Sequence, residues 1–374
     1  MRTIVIGGGI VGSCIAWFLA PDREVVVIER DPAYRFASTT LSAASIRVQF
    51  SLPLNVAMSQ FGAAFMEPMA EEIGLHRGAY LTLAGPRGVD VLRENLRVQT
   101  EQGAQVAWLD PGAMAARFPW LNTDDLAAGA LGLAGEGWFD AYALLRRVRA
   151  EAIARGARYV ADETVGIGLA GDRVTGVRLA GGETVGGDVV VNAAGAWAGR
   201  VAALAGIDLP VGPRKRTAFV LRAPLAGAGM PLVFDTTGAW IRPEGDGFIA
   251  GISPDADPDA AGDFDPDMDL LEAKLWPALA HRIPAFEQLR VMRAWAGHYD
   301  MCLLDHNALI GRHPVLENFI IAAGFSGHGV QHGPATGRAV AELVTLGRYK
   351  SLDLTPFGYE RIRDGRAMPE SAIY

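Results

Sequence analysis

Short apolar runs and helical periodicity alternate along this chain. Arg2-Thr3-Ile4-Val5-Ile6 predicts a strand, Ile10–Ala20 an apolar helix, and Glu24–Ile28 a second strand ending at Glu29. Met58, Phe61, Phe65 and Met69 recur at helix-like spacing and predict a helix over Asn55–Ile73. Tyr80–Leu83 alternates like a strand, and Val89–Gln102 is a charged amphipathic helix closed by Gly103. Asp110-Pro111 starts a helix that ends near Arg117, and Pro119 stops it. Asp140 is a predicted N-cap for the helix Ala141–Arg155, which Gly156 ends. Arg158–Val191 reads as short strands separated by glycine turns, a meander rather than a pure βαβ array. Val189–Asn192 is a strand running into Ala193-Ala194-Gly195 and a helix over Ala198–Leu204. Ala218–Leu221 and Ala239–Gly251 read as strands, and Met268–Leu279 as a helix capped by an acidic loop. Phe319–Ala323, a glycine-rich loop and Val330–Leu346 repeat the order strand, loop, helix. The pattern predicts an α/β (α+β) protein.

The first strand and helix are joined by Gly7, Gly9 and Gly12 at G-x-G-x-x-G spacing. Gly7 allows the tight turn, Gly9 lets the backbone approach a pyrophosphate, and Gly12 lets helix and strand pack closely. The helix start offers N–H groups and a positive dipole end to phosphates. Glu29 can accept hydrogen bonds from ribose hydroxyls, which disfavours NADP and leaves FAD and NAD. The distal unit around Gly324–Gly329 separates these two on chemistry. A reduced flavin carries negative charge along N1–C2=O, and a second helix start stabilises it. FAD is therefore preferred.

Composition narrows the function classes. The chain has 374 residues, half of them hydrophobic, enough for one large or two ordinary domains. A net charge of −8 gives no basic field, so no nucleic-acid partner is expected. The two cysteines, Cys14 and Cys302, form neither a disulfide framework nor a metal spacing. No uninterrupted apolar run predicts a membrane span. The apolar N-terminus reads as strand and helix rather than a leader, and a cytoplasmic location is expected. Asp255, Asp257 and Asp259 resemble an EF-hand start, but Ala260 and Pro266 occupy key positions and the loop fails. Ser326 lies in Gly324-Phe325-Ser326-Gly327-His328, which is not G-x-S-x-G. His328 and His332 lack the glutamate and third ligand of a zinc site, so no metal is expected.

With both glycine segments in hand, the chain resembles the FAD-dependent amine oxidases that include monomeric sarcosine oxidase, glycine oxidase and D-amino acid dehydrogenases. The likeness rests on Gly7–Gly12 with Glu29-Arg30, on Ser38–Ala44, on Val191–Trp197 and on Ala322–Gly329. Gln49–Pro53, Gly137–Asp140 and Trp295–Asp300 resemble a subgroup named only as FAD-dependent oxidoreductase-domain proteins, one mitochondrial member of which assists respiratory complex I assembly. The resemblance implies a Rossmann-like FAD-binding domain of glutathione-reductase type interleaved with a mixed β-sheet substrate domain. The first would take residues 1–79, 136–210 and 301–374, and the second 80–135 and 211–300.

By resemblance, cofactor contacts fall at Gly7, Gly9, Ile10, Val11 and Gly12, and at Glu29 and Arg30. They continue along Ser38, Thr39, Ser42, Ala43, Ala44, Ser45 and Ile46, then at Val165, Ala194, Gly195, Trp197 and Gly297. Gly327, His328, Gly329, Val330 and Gln331 border the pyrimidine edge. Sarcosine oxidase tethers its flavin through a cysteine, and Gly297 stands in that place, so FAD is expected to be non-covalent. Its oxygen-activating lysine aligns with Gly251, which favours a dehydrogenase. The arginine that binds carboxylate in glycine oxidase is replaced by Tyr299.

The implied reaction is oxidation of a C–N bond in a small amine or amino acid by hydride transfer to flavin N5, with O2 or another acceptor taking the electrons. A substrate carboxylate needs a cation, and Arg47 and Arg216 are the candidates. Tyr299 and His298 are candidates to hydrogen-bond the substrate. Trp240 and Trp138 are candidate walls, with core packing as the alternative. The rival reading is a flavin-bearing assembly or interaction protein without turnover.

Overall fold

The computed structural model describes residues 1–371. A six-stranded sheet runs in the order Leu309–Arg312, Phe319–Ala323, Val189–Asn192, Arg2–Ile6, Glu24–Glu29, Arg158–Ala161. All its pairs are parallel except that of the edge strand Leu309–Arg312. Alternation divides its side chains between two layers. Val5, Val25, Val27 and Val191 pack under the helices Ile10–Leu19 and Gly329–Leu346. Ile4, Ile6, Val26 and Ile28 pack against Val174, Val177 and Leu179 of a three-stranded meander on the other face. A sheet buried on both faces accounts for the near-continuous apolar runs in the sequence.

The two helices come from opposite ends of the chain and pack tightly. A Cβ on Gly337 would fall 2.6 Å from the backbone of Cys14, and one on Gly333 would sit 3.5 Å from Ile10. The helices therefore run side by side with both starts at the same end of the sheet.

An eight-stranded sheet runs Arg290–Cys302, Val211–Arg222, Gly247–Gly251, Trp240–Glu244, Leu232–Phe234, Tyr80–Ala84, Ala128–Gly132, Val106–Leu109. Its pairs are antiparallel except Leu232–Phe234 with Tyr80–Ala84. One face buries Leu81, Leu83, Phe219 and Phe248 against Leu275, Leu279 and Phe286. The other face closes over the glycine-rich end of the six-stranded sheet. Between them lies a cavity of about 1210 Å³.

Several predicted elements change. The helix expected over Asn55–Ile73 is Pro53–Met66 followed by a 3-10 turn, because Pro68 cannot donate to a continuing helix. Ala218–Leu221 is the end of the longer strand Val211–Arg222, and Ala239–Gly251 is a hairpin of Trp240–Glu244 and Gly247–Gly251. The helix expected over Met268–Leu279 is a π-helical turn, Leu271–Leu275, continuing into Trp276–Arg282.

Candidate active site

The cavity begins at the N-terminal glycine turn. Gly7 has φ 100°, and a Cβ there would lie 2.4 Å from the Ala193 carbonyl oxygen. Gly12 lies beneath the turn rather than on the cavity wall, where a Cβ would fall 1.9 Å from the Gly7 carbonyl oxygen. The side chain of Glu29 accepts the N–H groups of Gly8 and Asp31, each at 2.7 Å. Each oxygen keeps a lone pair for a further donor such as a ribose hydroxyl. Burial raises this carboxyl above its usual range, against those hydrogen bonds. Arg30 stacks on Trp197, its guanidinium 4.2 Å from the ring centroid. Val165, Ala194 and Gly195 complete this end.

The loop from Ser38 docks on the helix start. Thr39 Oγ1 accepts the Ile10 N–H at 3.1 Å, and Ser42 Oγ accepts the Ala44 N–H at 2.9 Å. Gly9, Val11, Ser38, Ala43 and Ser45 also line the cavity, whereas Ile46 turns to a second cavity. At the distal loop, Asp300 accepts the N–H groups of Gly324 and Phe325, at 3.0 and 3.1 Å. Ser326, at φ 51°, accepts the Cys302 N–H at 3.0 Å. The loop is thus held open before the helix that starts at Gly329, and Ser326 is a structural anchor. Gly327 is required because Tyr299 lies on it, 2.5 Å from where a Cβ would be.

Past this loop the wall carries Arg47. Its guanidinium donates to the Gln49 carbonyl at 3.1 Å, approaches His328 Nε2 at 3.3 Å and stacks 4.3 Å over Phe50. Its backbone N–H donates to Gln331 Oε1 at 2.9 Å. Among the described residues, no carboxylate pairs with Arg47. Burial first, then the Arg47 cation, holds His328 well below the usual imidazole range. A neutral His328 can accept from Arg47 through Nε2. His332 faces Ser59 across 3.0 Å and is buried, away from any surface role.

Other candidates separate. Arg216 places both terminal nitrogens on Asp257, each at 2.7 Å, so its charge is already matched. That pairing removes the reason for assigning it a substrate carboxylate. His298 and Tyr299 are neighbours on one strand and point to opposite faces. Tyr299 packs on Gly327, while His298 packs on Phe264 with centroids 4.2 Å apart and reaches the Asp263 carbonyl at 2.7 Å. Both residues line the main cavity, with the His298 ring committed to the Asp263 carbonyl. Trp240 lines the cavity, but Trp138 stacks on His76 with centroids 4.3 Å apart. Gly297 lies on the cavity wall against Leu41.

Sequence reasoning missed Gln49, Tyr80, Thr82 and Phe234, all on the wall beside Arg47. The alternation of Tyr80 and Thr82 with the core residues Leu81 and Leu83 was the available signal for two of them.

Comparison with known proteins agrees with this geometry. The family model described as FAD dependent oxidoreductase, DAO, matches residues 2–343. FAD-dependent oxidoreductase domain-containing protein 1 of Xenopus laevis is 40% identical, over 96% of this chain and 82% of its own. The crystal structure of L-proline dehydrogenase from P. horikoshii superposes with a TM-score of 0.87 at 30% identity, covering 98% of this chain and 99% of that one. Glycine oxidase from Geobacillus kaustophilus gives 0.81 at 27% identity, covering 96% and 98%. A glycine-lined cleft fed by two helix starts, matched by this family over nearly the whole chain, leads to one conclusion: the chain belongs to the DAO family of FAD-dependent oxidoreductases.

Proposed function

We propose that this protein oxidises a C–N bond of a small amine or amino acid, of the D-amino acid, glycine or N-methyl amino acid class, with non-covalent FAD as hydride acceptor. The residues fit that cofactor: the turn at Gly7 and Gly12 has no room for side chains, and two helix starts share one cavity. Residues 1–79, 136–210 and 301–374 hold FAD in this reading, residues 372–374 lying outside the described residues, and 80–135 and 211–300 cover the substrate. Bound there, FAD would supply the two-electron acceptor that oxidation of a C–N bond to a hydrolysable imine requires.

The carrying observation is Arg47, a cation on the cavity wall with no carboxylate partner among the described residues. It binds and orients a substrate carboxylate, a charge-assisted contact worth about 1.5–3 kcal/mol. Neutral His328 steadies the guanidinium without competing for the anion. Phe50, Tyr80, Phe234 and Trp240 exclude water around the reacting carbon. Two features support a dehydrogenase with a non-covalent flavin. Gly251 carries no lysine, and a Cβ there would meet the Trp240 indole at 2.9 Å. Cys302 is buried and turned to Asp305 at 3.5 Å, and burial pushes its thiol up.

Anaerobic titration of the purified flavoprotein with glycine, sarcosine, proline and D-alanine tests the proposal. At least one is expected to bleach the flavin, with slow return of colour in air. Arg47→Met is expected to raise KM on the order of 10- to 100-fold, with a smaller change in kcat. A panel of amines that leaves the flavin oxidised throughout would refute turnover and favour an assembly or interaction role.

A further inference from the structure

Glu136 belongs to none of the groups assigned above. It precedes the short strand Gly137–Trp138 and is only 4% exposed. Its Oε1 accepts the Val48 N–H at 3.0 Å. Its Oε2 accepts the Tyr80 N–H at 2.9 Å and Gln49 Nε2 at 3.3 Å. All three partners are donors, and each oxygen faces a backbone N–H. A carboxylate satisfies both, whereas a carboxamide must turn its NH2 against one of them. Gly132 makes the space, since a Cβ there would fall 1.6 Å from Oε2.

These partners are the wall beside Arg47. Val48 and Gln49 follow it directly, and Gln49 and Tyr80 face the main cavity. Gln49 Nε2 also donates to the Tyr80 carbonyl at 3.1 Å, and its Oε1 accepts from Thr82 Oγ1 at 2.7 Å. One carboxylate therefore ties the segment after Arg47 to the strand Tyr80–Ala84. On its other side lies a second cavity of about 540 Å³, which gives water and protons a route to it.

We propose that Glu136 is the positioning residue of the anion site, holding Gln49 and the backbone after Arg47 in place while its charge opposes that of a carboxylate bound at Arg47. This rests on the reading of Arg47 as the substrate anchor. The groups facing Glu136 are Arg47, on the segment that carries Val48 and Gln49, and Tyr80, backed by Arg242, on the strand Tyr80–Ala84. The strand Ala128–Gly132 carries no charge, and His76, Arg77, Glu67 and Arg117 line the second cavity. Burial is the largest influence and pushes the Glu136 carboxyl up to about 7, against its three hydrogen bonds and Arg47. Below that value the group is neutral and Arg47 attracts an anion unopposed. Above it the carboxylate is charged and anion binding weakens.

The test is benzoate binding to the FAD-loaded protein, read from the flavin absorbance between about pH 6 and pH 8. Benzoate has no amine and stays ionised throughout. In the native protein Kd is expected to rise about three- to tenfold across this range, tenfold being one pKa unit of coupling. Asp300, pushed to about 6 by burial, titrates nearby on the same cavity, so variants decide the assignment. Glu136→Gln is expected to flatten the rise. Gln49→Met removes a hydrogen bond that lowers the Glu136 pKa and is expected to move the midpoint upward, which decides the matter if Glu136→Gln does not fold. A flat native profile, an unchanged rise in Glu136→Gln or an unmoved midpoint in Gln49→Met overturns the proposal. Arg47→Met separates it from the function above. Unchanged benzoate affinity there defeats the anchor reading, whereas lost affinity with a pH profile indifferent to residues 136 and 49 defeats only this inference.

Discussion

His328 caps the start of the helix Gly329–Leu346, half-buried on the cavity wall, and His332 lies four residues on, buried within that helix. Their environment makes them neutral hydrogen-bonding groups. Burial, then the Arg47 cation, lowers His332 to about 3. In the unfolded chain the same imidazole takes a proton below about 6.5. Between those values the unfolded state binds the extra proton, so stability present at neutral pH is lost as pH falls through this window. Glu136 and Asp300, both raised by burial, act in the opposite sense at the upper end of that range. A variant therefore isolates the histidine better than the pH profile of the native protein does. His332→Gln keeps a partner for Ser59 and cannot ionise. Its Tm is expected to lie below that of the native protein at pH 7, with the gap narrowing as pH falls to about 5. Thermal scans at both pH values check this, and a gap that widens at acid pH contradicts it.

Among elements, the closest approach is between two helices that the sequence places at opposite ends of the chain. Gly337 lets the helix Gly329–Leu346 rest on Cys14 of the helix Ile10–Leu19. Gly337→Ala is expected to separate them, at a cost of about 1–3 kcal/mol, and to weaken FAD retention because both starts feed one cavity. Melting and the flavin content after gel filtration measure the two effects. The parallel strands and these helices were legible in the sequence because their apolar runs are continuous. The eight-stranded sheet was less so, for physical reasons. Ala128–Gly132 has no β-branched residue, and its glycines exist to admit the Met114 sulfur and the Glu136 carboxylate. Val211–Arg222 carries Arg214-Lys215-Arg216 in its middle, which reads as a solvated edge. In the fold Lys215 meets Asp263 at 2.6 Å and Arg216 meets Asp257, so the acidic loop supplies the counter-charges that let a basic stretch pair in a sheet. The same distance in sequence hid Glu136, whose three partners come from two other segments of chain.

At the scale of the whole molecule, the two sheets interleave along the chain, so neither is complete without segments that flank the other. Their shared boundary is the cavity, walled from one side by the glycine turns and from the other by the eight-stranded sheet. A ligand filling that boundary binds the folded state and not the unfolded one. It stabilises by RT ln(1 + [L]/Kd), about 4 kcal/mol at a thousandfold excess over Kd. Because FAD would touch both sheets, its loss is expected to lower Tm and to broaden the transition as the halves uncouple, and added FAD to restore a single sharp one. Non-covalent attachment is the expectation from Gly297, which offers no thiol on the wall, and from Cys302, which lies buried. Acid precipitation of the yellow protein is expected to leave the flavin in the supernatant. Colour retained in the protein pellet after acid and denaturant would show a covalent bond, and with it an attachment residue other than these two.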